Sequence, residues 1–205
     1  MKNITLASLS VALIAVSGQI CVAAETAKAT QAEIVMKASF KDRGQAKVDR
    51  LNQDETQRLC SQYPEKRPAA IAKKIEAINM KLVKYPADGK LLGDWKEGEK
   101  IAQSGVGKQF SDNPAQPAGG NCYACHELTK AEISFGNIGP SLYNFGKLRG
   151  NTESIQKYTF GKIYNADAYS ACTNMPRFGH NGILTEEQIK HVTALLLDPN
   201  SPVNK

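Results

Sequence analysis

The chain has 205 residues, of which 41% are hydrophobic and 22% are charged. This length suits one domain of ordinary size, or a small domain with an extension. The formal net charge is +6, but no dense run of Lys and Arg with interleaved aromatic residues occurs, which argues against nucleic-acid binding. No apolar stretch approaches the roughly 18 residues of a transmembrane helix, so we expect no membrane span.

Residues 1–24 have the pattern of a secretory signal peptide: a lysine near the start, an apolar core and small residues at the end. Cleavage after Ala24 would leave 181 residues with a formal net charge of +5, because one lysine and no acidic residue are removed. Cys21 would suit a lipoprotein signal, but Ile20 precedes it where a small residue is expected. We therefore predict an exported, periplasmic protein.

Residues 25–91 are predicted to form a helical N-terminal extension without a cofactor motif. Residues 47–63 have apolar side chains at broadly helical spacing, and a clearer helix runs from Pro68 to about Val83. The apolar stripe of this second helix consists of Ile71, Ile75, Ile78 and Leu82. The extension is expected either to brace the rest of the protein or to act as a docking arm for a partner.

Residues 92–205 are predicted to form the functional domain. Residues 94–103 suit a first helix, in which Gly98 would permit the close approach of another helix. Residues 164–171 have the composition of a connecting loop. Thr185 begins a capping box for a last helix, which we expect to pack on the helix that contains Gly98. All the predicted elements are helices, so the expected fold class is all-α.

The sequence Cys122-Tyr123-Ala124-Cys125-His126 is the strongest functional signal in the chain. Two thiols at this spacing can bond to the two vinyl groups of one haem, and the histidine that follows can bind the iron as its proximal ligand. A redox dithiol and half of a zinc site are the alternatives. The first is expected within a βαβ pattern and the second needs four ligands, and the sequence indicates neither. The motif therefore predicts one covalently bound haem c.

Two loops beyond this motif supply candidates for further contacts with the haem and its ligands. The carbonyl of Pro140, in a Gly-Pro turn, can accept a hydrogen bond from the His126 imidazole and fix the ring. Met175, in the sequence Met-Pro-Arg-Phe-Gly, is the preferred distal ligand, because a thioether stabilises ferrous iron. The weaker candidates for that role are Met36, Met80, His180 and His191. Arg177 is expected to pair with a haem propionate, to mark a docking face or to be a solvated charge.

Signal cleavage and haem attachment would leave two cysteines, Cys60 and Cys172, in an oxidising compartment. An even remainder in that compartment favours a disulfide over two free thiols. We therefore predict a disulfide between Cys60 and Cys172 that links the N-terminal extension to the segment before Met175.

The succession of the Cys122–His126 motif, the Gly-Pro turn at Pro140 and the Met-Pro-Arg-Phe-Gly loop at Met175 resembles class I cytochromes c. More narrowly, residues 92–198 are similar to SoxX, the monohaem subunit of the SoxAX cytochromes of bacterial sulfur oxidation. The resemblance implies a class I cytochrome c fold, with His126 and Met175 as the iron ligands and Cys122 and Cys125 as the thioether anchors. Two features depart from that family: the residues just before Met175 lack its usual Asn-Pro opening, and the N-terminal extension is longer.

The resemblance also implies partners and a reaction. A SoxA subunit would carry the haem at which thiosulfate is joined oxidatively to a cysteine of the carrier complex SoxYZ, which is the activity of an L-cysteine S-thiosulfotransferase. The SoxX-like chain would be its non-catalytic electron-transfer subunit and would pass electrons to a soluble cytochrome. Two other hypotheses are an independent periplasmic electron shuttle and a haem enzyme such as a peroxidase, but no acid–base pair that would serve a peroxidase is evident.

Overall fold

The computed structural model describes residues 30–205 of the chain. The predicted signal peptide, residues 1–24, lies outside the described residues. The described residues divide into two units, residues 30–38 and residues 39–205. The first unit is almost entirely one helix, α1 (Gln31–Ser39), which ends at the first residue of the second unit and has no buried residue. The predicted functional residues all lie in the second unit, except Met36 on α1.

The secondary structure of residues 30–205 is helical and contains no β-strand, which confirms the predicted all-α class for this part of the chain. After α1, the α-helices are α2 (Glu55–Gln62), α3 (Ala69–Leu82), α4 (Trp95–Gln103), α5 (Phe145–Arg149), α6 (Glu153–Tyr164) and α7 (Glu186–Leu197). Short 3-10 helices lie at Val48–Leu51, Cys122–Ala124, Ala166–Ala168 and Pro202–Asn204.

The predicted packing between the first and last helices of the functional domain is present as the α4–α7 pair. A side chain at Gly98 would collide with the backbone carbonyl of His191, so the glycine lets the two helix backbones approach closely. Thr185 and Gln188 form the predicted capping box at the start of α7. The α7 face toward the core consists of Ile189, Val192, Leu195 and Leu196, which are all buried.

The N-terminal extension contributes α2 and α3 to the same unit. The sequence predicted α3 almost to its ends, but the broadly helical segment at residues 47–63 is divided in two. The 3-10 helix Val48–Leu51 ends at Asn52, and α2 begins anew after Asp54. Asp54 accepts a hydrogen bond from the backbone N–H of Gln57, and the Gln57 side chain accepts one from the N–H of Asp54. This capping box explains the separate start of α2.

The segment predicted to be a connecting loop, residues 164–171, is instead part of the packed interior. Ala166, Asp167 and Ala168 form a buried 3-10 turn against α3. Asn79 of α3 donates a hydrogen bond to the hydroxyl of Thr56 at 2.8 Å and accepts one from the amide of Asn165 at 3.0 Å. These buried polar contacts join α2, α3 and the turn. They also provide acceptors for the buried amide N–H groups of both asparagines, which would be costly to leave without partners.

Candidate functional site

The cysteine–histidine motif forms one tight turn of the backbone. Cys122–Ala124 is a 3-10 helix, and the carbonyl of Cys122 accepts hydrogen bonds from the N–H groups of Cys125 at 3.1 Å and His126 at 2.9 Å. The thiols of Cys122 and Cys125 are free and half-buried. The turn therefore presents two sulfur atoms and one imidazole from five consecutive residues.

The imidazole of His126 is oriented by the Gly-Pro turn. Its Nδ1 lies 2.7 Å from the carbonyl oxygen of Pro140, so an Nδ1–H donates to that oxygen and Nε2 retains its lone pair. Gly139 lies directly against the ring, and a side chain there would collide with the imidazole. The residue before the proline must therefore be very small for this contact to form.

Three backbone hydrogen bonds hold the Gly-Pro turn against the cysteine–histidine turn. The N–H groups of Gly136, Gly139 and Leu142 donate to the carbonyls of Tyr123, Cys125 and Glu127 at 2.8, 2.9 and 2.7 Å, respectively. The two segments are thus fixed to each other through the main chain, independently of most of their side chains.

The environment of the Cys122 thiol bears on whether the motif could be a catalytic redox dithiol. Burial raises the pKa of the Cys122 thiol to about 12, so it is a neutral thiol at pH 7. A catalytic redox dithiol needs a thiolate nucleophile, which an electropositive surrounding usually stabilises. The environment of Cys122 is therefore unfavourable for that role.

Met175 packs against the same hydrophobic core as Cys122. Both are partly buried, and so are several other apolar side chains that border this core. They include Leu142, Phe145, Ile155 and Tyr164. The first cysteine of the motif and the predicted distal methionine thus border the same hydrophobic core, although 53 positions separate them in the sequence. Two thiols, an oriented imidazole and a thioether are, by their chemistry, the groups that a covalently bound haem requires.

The weaker candidates for the distal ligand lie in other surroundings. Met80 is on α3 with 41% of its surface exposed, and Met36 is on α1 in the first unit. The Nδ1 of His191 accepts a hydrogen bond from the N–H of Asp94 at 2.8 Å, next to the start of α4. His180 lies 4.0 Å from Asp54, and burial together with the nearby Arg177 lowers the pKa of its imidazole.

One of the three interpretations of the sequence, in which Arg177 is a solvated charge, is wrong. Only 7% of the residue is exposed, and its guanidinium lies between two carboxylates. Nη2 donates to Asp54 Oδ2 at 2.7 Å, and Nε lies 3.6 Å from Asp167 Oδ2. Burial works to raise the pKa of Asp54, but the Gln57 N–H and Arg177 outweigh it, so that pKa lies below its usual value. Burial raises the pKa of Asp167 despite the same arginine.

Cys60 and Cys172 are joined in a disulfide, with their Cα atoms 5.6 Å apart. The bridge connects α2 to the residue three positions before Met175. The sequence did not indicate that Asp54 and Asp167 are neighbours of the loop that contains Met175 and Arg177. The Asp-x-x-Gln pattern could have identified Asp54 as a helix cap, but nothing local indicates its pairing with an arginine 123 positions away.

No protein-family model matches the chain. A lipoprotein of Aquifex aeolicus (strain VF5), described as uncharacterized, is 36% identical to it over 192 residues, which cover 89% of this chain and 90% of the relative. The chain belongs to the family of this lipoprotein.

The similarity to this family member extends over nearly the whole of both proteins, so it covers far more than the short cysteine–histidine motif. Among residues 30–205, no helix is long and apolar enough to cross a membrane. In the same residues, no three His, Cys, Asp or Glu side chains are grouped closely enough to hold a metal ion between them.

Proposed function

We propose that this protein is an exported monohaem c-type cytochrome with a class I cytochrome c fold. The observation that carries the proposal is the His126 ring, whose Nδ1 is hydrogen-bonded to Pro140 next to two free thiols on the same turn. A hydrogen bond at one ring nitrogen directs the other toward a metal and makes it a stronger donor. Cys122 and Cys125 would hold the haem through thioether bonds, and His126 and Met175 would bind its iron.

The bound haem would supply one-electron transfer chemistry. The residues of this chain would determine how that chemistry is used. The Pro140 carbonyl would hold the Nδ1 proton of His126 and keep the ring oriented, and the hydrophobic core against which Met175 packs would limit the access of water on that side. A methionine ligand favours the ferrous state and thus a higher reduction potential than a second histidine would.

Export is the second part of the proposal. The expectation of export agrees with the description of the relative as a lipoprotein, since lipoproteins are exported. That description also makes Cys21 a specific alternative, in which the mature chain begins at a lipidated cysteine and is anchored to a membrane surface.

One measurement tests haem attachment and the mature N-terminus together. Intact-mass analysis of the chain purified from cells that mature c-type cytochromes should give residues 25–205 plus one haem. A chain that begins at Cys21 with added acyl groups would establish the lipoprotein alternative. Cys122→Ser should leave a single thioether bond and shift the haemochrome absorption band, whereas Cys60→Ser should not shift it. A mature chain without haem would overturn the proposal.

We further propose that the protein acts as the electron-transfer subunit of a SoxAX-type heterodimer. In this reaction an S–S bond forms between thiosulfate and a SoxYZ carrier cysteine, the thiol proton is released, and two electrons leave. This chain would accept those electrons one at a time from a SoxA-like subunit and pass them to a soluble cytochrome. The support is the resemblance of the three motifs, and the alternative is a stand-alone periplasmic electron shuttle.

A further inference from the structure

The loop that contains Met175 is held at both ends by the N-terminal extension. We define the Met175 loop as residues 171–178. At its start, Cys172 is bonded to Cys60 of α2, and the Ala171 carbonyl accepts a hydrogen bond from Arg67 Nη1 at 3.3 Å. Near its end, Arg177 donates to Asp54. Three connections thus link residues 54–67 to the residues on either side of Met175.

Asp54 contacts both the N-terminal end of α2 and the Met175 loop. Its Oδ1 accepts from the backbone N–H of Gln57 at 2.8 Å, as the N-cap of α2, while Oδ2 accepts from Arg177 at 2.7 Å. One carboxylate therefore binds the helix start with one oxygen and the loop with the other.

Asp167 connects the two ends of the loop to each other. Its Oδ1 accepts from the N–H of Thr173 at 3.2 Å, and its Oδ2 lies 3.6 Å from Nε of Arg177. Between these anchors the backbone of Met175 has a local hydrogen bond, from its N–H to the hydroxyl of Thr173 at 3.3 Å. The position of the thioether therefore depends on the anchors at residues 172, 173 and 177.

The buried state of Arg177 indicates a specific role for the pair. An arginine side chain with only 7% of its surface exposed has a large desolvation cost, and its Nη1 atom has no hydrogen-bond partner within the described structure. Replacing a buried ion pair by apolar side chains is often neutral for stability, so stability alone is a weak reason for its presence. Another use of a charged pair is to fix one arrangement of the chain among several.

We propose that Arg177, held by Asp54 and Asp167, is a positioning residue that keeps Met175 directed toward the haem iron, and that the N-terminal extension thereby controls how readily the distal ligand is displaced. The inference rests on the proposed cytochrome function. If the ion pair is lost, residues 173–177 gain conformational freedom, and the methionine competes less well with an added ligand. The extension is then a brace with an effect on the haem site.

The test measures how tightly imidazole displaces Met175 from the ferric holoprotein, followed through the methionine–iron charge-transfer band. Asp54→Asn keeps an oxygen that can cap α2 but removes the charge that faces Arg177. We expect imidazole to bind about tenfold more tightly, the effect of losing one charge-assisted hydrogen bond. Arg177→Met should raise the affinity for imidazole at least as much. Arg177→Lys keeps a charge beside Asp54, so its increase in affinity should be intermediate.

Glu55→Gln is the matched control. Glu55 neighbours Asp54 on the same helix, and its carboxylate pairs with Arg58 and Lys74 instead of the loop. This variant should bind imidazole as the parent does, and circular dichroism should show all variants folded under the assay conditions. Unchanged imidazole affinity in Asp54→Asn and Arg177→Met would overturn the positioning role. Absence of the charge-transfer band in the parent protein would instead overturn the ligation by Met175 on which the inference rests.

Discussion

A single hydrogen bond defines the chemistry available to His126. With Nδ1–H donated to Pro140, the ring has one tautomer and one free lone pair, on Nε2. The steric contact with Gly139 limits rotation of the ring, because any larger residue there would occupy the same space. These two neighbours orient the imidazole, which is the property that the proposed role of His126 as an iron ligand requires.

At the residue scale, Met175→Ala tests the distal ligand directly. The substitution removes the thioether and leaves the surrounding loop anchors in place, so the holoprotein should fold with its haem attached. We expect the loss of the methionine–iron charge-transfer band and the binding of cyanide or imidazole without competition from the protein.

Met80→Ala is the control, since Met80 lies partly exposed on α3. It should leave the absorption spectrum unchanged. Retention of the charge-transfer band in Met175→Ala, or its loss in Met80→Ala, would contradict the assignment of Met175 as the ligand.

At the scale of secondary-structure elements, the sequence predicted what depends on local periodicity. The apolar stripe of α3 and the capping box of α7 predicted where these helices lie in the sequence, and Gly98 predicted the α4–α7 contact. The buried turn Ala166–Ala168 was predicted as a loop, because a segment of three residues shows no period and its burial depends on α3, about ninety positions earlier.

The same limit applies to the candidate site. The cysteine–histidine turn and the Gly-Pro turn lie within twenty residues of each other, and their order indicated the contact between them. The Asp54–Arg177 pair could not be inferred, because a charged residue has the same local pattern whether it faces solvent or a partner far away in the sequence.

The disulfide is the element-scale link whose removal has the largest expected effect on stability. Cys60 and Cys172 enclose a separation of 112 positions. In a chain-entropy description, a cross-link of this span lowers the entropy of the unfolded chain and stabilises the native state by about 4–5 kcal/mol. The Cys60→Ser/Cys172→Ser double variant should lose roughly that free energy of unfolding in urea denaturation.

Alkylation of the folded holoprotein without reduction provides the direct check on the bond. Intact mass should show no added alkyl group, because all four cysteines of the mature chain would be bonded. Two added groups in freshly prepared protein would contradict the disulfide, and the double variant serves as the reference in which neither position can react.

At the scale of the whole molecule, the proposed ligation of a haem by His126 and Met175 suits electron transfer more than catalysis. A haem bound by both His126 and Met175 would have no open position for a substrate. If the chain is SoxX-like, conjugation of thiosulfate must then occur on another subunit. A peroxidase-like enzyme differs from the heterodimer in this respect, because it needs an open or exchangeable position on the iron.

Reconstitution with a SoxA-like subunit and the SoxYZ carrier tests this assignment. The present chain alone should accept electrons from a chemical reductant but should not add thiosulfate to the carrier. With the partner present, the carrier should gain the mass of the thiosulfate adduct while the haem of this chain becomes reduced, because two electrons leave for each S–S bond formed.

Omitting each chain in turn, with the soluble cytochrome acceptor present throughout, separates the roles. Met175→Ala should assemble with the partner and slow electron exit, since the reduction potential then changes. Full conjugation by the partner alone, at an unchanged rate, would show that this chain is not its electron-transfer subunit and would favour the independent shuttle.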